Sequence, residues 1–552
     1  MRSLTLATYA LLLSAWPIAG IIAAQPAAQA PSGSKLDRPL FVNPIAEGAD
    51  PWTIRHGDHY YFCQSEGNDG IAVFKSPKLT DKGVKRVVWR TQPGTWNSSQ
   101  VWAPELHRVN DRWYIYYCAS NGRNANHRTG VLAAVTDDPQ GEYEDKGVVY
   151  TGDDLAGQTD NRWSIDATPL QLGDRLYLIW SGWPATEDIQ HLYIAPMHNP
   201  WTVSGNRVKL RENDTYVWER VSESLSERGL NEGPQILKRH GRVFIIYSCS
   251  GSWEPTYKLA MLYMDENADP LDPASWTKHD RPVFQSTDEV FGVGHASFTV
   301  SPDGTEDWIV YHAKRSREPG WQRAVYLQPF GWTDAGFPDF GKPIPAGQAL
   351  PAPSGEQPNR PGDAFRESFA DGTWDRWVYF GHNRYLRVID GKLHLGRAPG
   401  SGAVNLYRCG EKALVRGFEW ENFSLRVRVR VTAGQRDAGA LFRVQQPALG
   451  YDAQEGYFAG IIPATNKVIL GRTDGKGWHE LASADHPIQA GQWYDLRIET
   501  RGDRIQILLD GHPHITHRDS HYRRGMAGLR VVDIHAQFDD FDITPHPAPA
   551  TQ

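Results

Sequence analysis

The chain has 552 residues, enough for about two to four domains rather than one oversized core. Hydrophobic residues make up 40% and charged ones 22%, which excludes wholesale disorder. Net charge is -7, so a polyanion partner is disfavoured, whereas 21 Trp and 23 Tyr without a basic excess suit a neutral, ring-shaped ligand such as carbohydrate.

Residues 1–30 read as an export leader and tail. Arg2 supplies the positive start, the run ATYALLLSAWPIAGIIAA follows, and Ala23, Ala24, Ala28 and Ala30 offer small cleavage-site residues. Pro17 and Gly20 inside the run, with no basic stop-transfer flank, argue against a membrane anchor, so a secreted or periplasmic protein is expected. Four cysteines, Cys63, Cys118, Cys249 and Cys409, allow three pairings and show no zinc spacing.

Five segments then repeat one pattern of apolar alternation, a Gly/Asp/Asn turn and an aromatic strand. They are GADPWTIRHGDHYYFCQS from Gly48, WAPELHRVNDRWYIYYCAS from Trp102, DATPLQLGDRLYLIWSG from Asp166, NEGPQILKRHGRVFIIYS from Asn231 and GHASFTVSPDGTEDWIVYHAK from Gly294. Each begins as a hairpin and continues into further strand-like sequence, such as GIAVFKS or RAVYLQPF. Units of roughly 55 to 65 residues with four strands apiece are propeller blades, and five of them predict a five-bladed β-propeller over 31–345. Six prolines between Pro343 and Pro361 predict a stiff polar linker over 346–363. From 364 to 552 the period is two, as in FSLRVRVRV from Phe423, which predicts a jelly-roll β-sandwich. Arg426, Arg428 and Arg430 read as its solvated face, and Trp374, Trp377, Tyr379 and Trp478 as either a sugar platform or core. The whole chain is therefore expected to be all-β.

Inner propeller strands start at the central channel, so equivalent positions in different blades converge. Aligned on the hairpin turns, Asp50 falls on Ala103, Asp166, Gly233 and Ala296, with Glu232 and His295 each one residue earlier. Three carboxylates and an imidazole from four blades are thus aimed at one mouth. Alone, any of these acids reads as a turn or strand-end cap. Together they supply what glycoside hydrolysis needs, a protonated donor and an ionised carboxylate, with a third acid to raise the donor's pKa. Calcium binding is the rival use of such a cluster, and the EF-hand loop it would need is missing from the sequence.

The blade starts GADPW, WAPELH, SIDATP, LNEGP and GVGHASF, in that order, resemble those of glycoside hydrolase family 43, and RAVYLQPFGWTDAGFPDFGKPIP resembles the stretch closing that family's propeller. The resemblance covers roughly residues 40–345. It implies an inverting hydrolase with Asp50 as general base, Glu232 as general acid and Asp166 as pKa modulator and substrate orienter. It further implies Trp102 as a pocket wall and Arg323 as a contact to substrate hydroxyls or the acid. His295 resembles a histidine near the channel axis that in some members helps hold calcium or another ion through waters, the alternative being a core histidine. No required cofactor is implied. LNEGP followed by SCSGSWEPTYKLAMLY looks most like exo-acting α-L-arabinofuranosidases acting on plant-type poly- or oligosaccharides, with β-xylosidase, endo-arabinanase and a non-catalytic glycan-binding propeller as alternatives. The C-terminal part resembles concanavalin-like modules.

Overall fold

The computed structural model describes residues 38–381, 385–397 and 410–547; the leader reading and Cys409 lie outside them. Among the described residues there is no α-helix, only strands, short 3-10 turns and loops. Five sheets carry the repeats, and their inner strands are Trp52–His56, Ser99–Val109, Ser164–Leu172, Asn231–Arg239 and Phe291–Val300. Strands follow one another outward in chain order within the first four blades. The fifth is closed differently: its outer strand is Ala46–Glu47, from before the first blade, pairing Ala46 with Val325. Ring closure thus fastens the start of the propeller to its end.

Hydrophobic contact is made between blades. Tyr114, Val131 and Ala133 of blade two pack with Leu178, Trp180 and Ala195 of blade three, and equivalent clusters fill each other junction. Strands buried on both faces explain why the repeats read as near-continuous apolar runs. Cys63, Cys118 and Cys249 are buried free thiols in these layers.

The Pro-rich stretch departs from the linker expectation. Ala349–Pro351 pairs antiparallel with Leu40–Val42, Leu350 and Ala352 are buried, and the Glu356 carboxylate accepts the Leu79 N–H at 2.9 Å. Proline is compatible with a two-stranded edge pairing, because an edge leaves half its N–H groups unneeded. Beyond it, a seven-stranded and an eight-stranded antiparallel sheet face each other over one core. Trp377 is fully buried in that core, so it is no sugar platform. Arg426 and Asp495 pair on the outer face of the eight-stranded sheet, where Arg428 and Arg430 lie over Trp493. The sandwich docks on blade one through Arg86–Asp375 (2.6 Å) and Arg416–Asp81, and its Leu449 is buried among fourth- and fifth-blade side chains.

Candidate active site

The channel end of each inner strand carries the same backbone device. Asp50, Ala103, Asp166, Gly233 and His295 all have left-handed φ, between 40° and 55°. In blades two to five this residue sits in a bulge, for example between Ile165 and Thr168 or between Glu232 and Gln235. A bulge re-aims side chains and sharpens the local twist. His295, rather than Ala296, is therefore the counterpart of Asp50. The alignment on hairpin turns slips by one residue because the fifth hairpin's turn is longer.

This device creates two tiers at the mouth. Asp50, Asp166 and His295 occupy the left-handed positions, while Trp102, Ile165 and Glu232 occupy the positions just before those of their own blades, and all six line one pocket of about 570 Å³. At Gly233, φ +55°, a Cβ would crowd the His295 ring at 3.2 Å, so glycine leaves that ring its place. A Cβ on Gly294 would lie 2.3 Å from the Tyr257 ring. Below, Glu105 is buried and accepts hydrogen bonds from Gln235 and His107, forming a polar channel floor.

Asp50 is the exposed acid, its side chain 22% accessible, and three cation-capable groups converge on its Oδ1: His295 Nδ1 at 3.3 Å, His312 Nδ1 at 3.3 Å and Arg323 Nη1 at 3.4 Å. Burial pushes its carboxyl up, but His295 and Arg323 outweigh that and hold it well below the usual carboxylate range. His312 Nδ1 accepts the Asp50 backbone N–H at 3.1 Å, and burial pushes its pKa down to about 3, so this ring is a neutral prop. His295 behaves oppositely. Burial lowers it, yet Asp50, Asp166, Glu232 and Glu105 together raise it above its ordinary value.

Asp166 and Glu232 are 3% and 7% exposed, and both are raised above the ordinary carboxylate range, first by burial. His295 opposes this in each, while the negative charge of Asp50 reinforces it. Asp166 and Glu232 also repel each other, so a proton held near neutral pH belongs to the pair. Asp166 accepts the Gly233 N–H at 3.0 Å. Glu232 accepts the Tyr257 hydroxyl at 2.7 Å and the Gln190 amide at 3.3 Å. One carboxyl held low, a pair of carboxyls raised and an imidazole raised thus share a mouth, a distribution suited to simultaneous proton donation and acceptance.

The expected residues Asp50, Asp166, Glu232, Trp102, His295 and Arg323 all line the pocket. Trp102 stacks on His127 with centroids 3.8 Å apart. Residues the repeat alignment missed are Tyr257, Gln190 and His312, together with Trp163, Trp253 and Trp321 on the walls. None begins an inner strand, so nothing in the repeat marked them; the aromatic excess alone pointed toward them. As to an ion, His295 Nδ1 faces Asp50 Oδ1 at 3.3 Å, which leaves Nε2 as the ring's other nitrogen. Among the described residues no group of three or more His, Cys, Asp or Glu is placed to hold a metal. The donor set does not fit an ion ligated directly by these side chains.

Comparison with known proteins gives concordant results. Glycosyl hydrolases family 43 matches residues 41–338, and a 3-keto-alpha-glucoside-1,2-lyase-like domain matches 364–544. The chain is 33% identical over 318 residues to "Alpha-L-arabinofuranosidase 43" of Humicola insolens, covering 55% of this chain and 63% of that protein. It is 35% identical over 319 residues to "Extracellular exo-alpha-(1->5)-L-arabinofuranosidase" of Streptomyces chartreusis, covering 56% of this chain and 92% of that one. A solved α-L-arabinofuranosidase from Lactobacillus brevis matches 55% of this chain and 98% of its own, at 33% identity and a TM-score of 0.51.

Proposed function

The chain belongs to glycosyl hydrolases family 43, and from that premise we propose that it is an exported, exo-acting α-L-arabinofuranosidase that releases arabinose from arabinan or arabinose-substituted polysaccharides with inversion. The observation that carries the reading is the division of charge at the mouth: Asp50 held ionised while Asp166 and Glu232 are both raised. The arabinofuranosidase names of the relatives from Humicola and Streptomyces support the sugar, and the word extracellular in the latter supports export.

In the proposed reaction Glu232 donates its proton to the departing glycosidic oxygen as that C–O bond breaks. Asp50 orients a water on the opposite face of the sugar and takes its proton as the new C–O bond forms at the anomeric carbon. A carboxylate held so firmly ionised takes up a proton reluctantly, which suits an oxocarbenium-like transition state in which the water becomes acidic only as it bonds to carbon. Asp166 keeps Glu232 protonated beforehand by like-charge repulsion and orients the sugar. Arg323 and His295 fix Asp50, and Trp102 walls the pocket. Two carboxylates and water suffice, with no cofactor. The turnover leaves Asp50 protonated and Glu232 ionised, and exchange with solvent resets both.

Hydrolysis of 4-nitrophenyl α-L-arabinofuranoside and β-D-xyloside, side by side, tests the sugar, and proton NMR of the first-released anomer tests inversion. Preferential release of arabinose as its β-anomer is expected. Preference for the xyloside would transfer the reading to β-xylosidase, and folded protein inert on both aryl glycosides and on arabinan would mark a glycan-binding propeller.

A further inference from the structure

Two loops carry tryptophans to the mouth. Loop 250–257 of blade four presents Trp253 and loop 315–322 of blade five presents Trp321, and both side chains line the inner pocket. Their ring centroids lie 5.5 Å apart at an interplanar angle of 50°, and Trp321 is 64% exposed. A ring so open to water has little side-chain packing to hold it, so its place is set by the backbone beneath it.

One amine holds that backbone. Lys314 ends the strand Asp307–Lys314 and is only 4% exposed. Its Nζ donates to the Trp253 carbonyl at 2.8 Å and to the Gly320 carbonyl, one belonging to Trp253 itself and one to the residue before Trp321. The Trp253 carbonyl also accepts the Gly320 N–H at 2.8 Å, so the two loops meet at the lysine. Lysine is seldom buried without a carboxylate partner, and here its donors go to carbonyl oxygens instead. Charge pairing does not account for it: burial lowers its pKa first, then the neighbouring Arg323 cation, against a smaller rise from Glu254. Space for the stem is kept open as well, since a Cβ on Gly292 would stand 2.4 Å from Lys314 Cδ. A buried amine led past a glycine to two loop carbonyls is a strut between the loops.

We propose that Lys314 is a positioning residue for substrate binding, holding the backbones of Trp253 and Trp321 so that their two rings together form one wall against the sugar. The proposal rests on the glycosidase reading above. It assigns the lysine to binding, at a distance from the proton transfers of the three acids.

The test is the steady-state kinetics of Lys314→Met on arabinobiose. KM should rise about five- to tenfold with kcat within about twofold of wild type, because a misplaced wall weakens substrate and transition state alike. Lys314→Arg, which keeps donors on a long stem, should recover most of that KM. Trp253→Ala combined with Trp321→Ala should also raise KM, and adding Lys314→Met to the pair should raise it little further. Lys238→Met, whose Nζ donates to the Gln171 carbonyl away from the pocket, should match wild type. The acid limb of the pH profile should stay in place in Lys314→Met. A moving acid limb would put the effect on Asp50 through Arg323, and that result, an unchanged KM, or additive KM changes each overturn the proposal. Should Lys314→Met fail to fold, the shorter Lys314→Gln takes its place. Hydrogen exchange of the wild-type enzyme reads the strut directly: the Gly320 amide should be protected, and exchange there at the rate of a free loop overturns it. Folded wild-type enzyme inert on every arabinoside overturns the glycosidase reading instead, while exchange at Gly320 still judges the strut.

Discussion

His295→Asn isolates the electrostatics of the mouth. Asn tolerates the left-handed backbone that this position requires, where φ is 45°, and removes the positive charge while keeping a polar atom near Asp50. At 3.3 Å and an effective dielectric of about 20, an imidazolium–carboxylate contact is worth about 5 kcal/mol, a ceiling of roughly 3.7 pK units on Asp50. Asp50 is partly open to solvent and keeps Arg323 at 3.4 Å, so a rise of about one to two units is expected. The sign is definite: a carboxyl whose pKa is held low is ionised down to low pH, and raising that pKa moves the acid limb of the rate profile upward. Asp166 and Glu232 lose the same lowering cation, so their pKa values also rise and the alkaline limb should follow. The measurement is kcat/KM against pH on arabinobiose, whose poor leaving group keeps the donor acid visible, with circular dichroism to confirm folding. An acid limb that stays in place, or moves to lower pH, would refute the assignment of Asp50 as the base held ionised by His295.

Four further outcomes are expected. Glu232→Ala should lose about 10²–10⁴-fold on arabinobiose and far less on the nitrophenyl glycoside, while Asp50→Ala impairs both severely; the reverse pattern in steady-state rates would exchange the two roles. Asp166→Asn removes a negative neighbour from Glu232, so the donor's pKa falls and the alkaline limb on arabinobiose shifts to lower pH. Tyr257→Phe should shift that limb the opposite way by about one unit, because it deletes the 2.7 Å hydroxyl donation that favours ionised Glu232. Ending the chain after residue 345 removes the strand paired with Leu40–Val42, whereas ending it after 363 retains it; thermal melts should place the longer form several degrees higher.

The blade count and the three acids were legible because each blade must bury its own strands, so the sequence repeats wherever the structure does. Asp50, Asp166 and Glu232 each stand at the start of an inner strand, and one alignment suffices to bring them together. The sandwich was legible for a similar reason, since FSLRVRVRV alternates between core and solvent as a sheet face demands. Other features depend on ring closure, which joins residues with no local relationship. His312 meets Asp50 across 262 positions, Ala46–Glu47 completes a sheet whose last strand is Pro338–Asp339, and Ala349–Pro351 finds its partner at Leu40–Val42. The one-residue slip at His295 has a local origin: the fifth hairpin's turn is longer, and bulge and left-handed backbone, which hairpin length does not reveal, decide which side chain faces the channel. Charge state is likewise a tertiary property. Asp50 and Asp166 are the same residue type at the same place in two blades, yet one is held low and the other raised: burial and His295 act on both, but Arg323 and His312 lower only the first, while the charges of Glu232 and Asp50 raise the second.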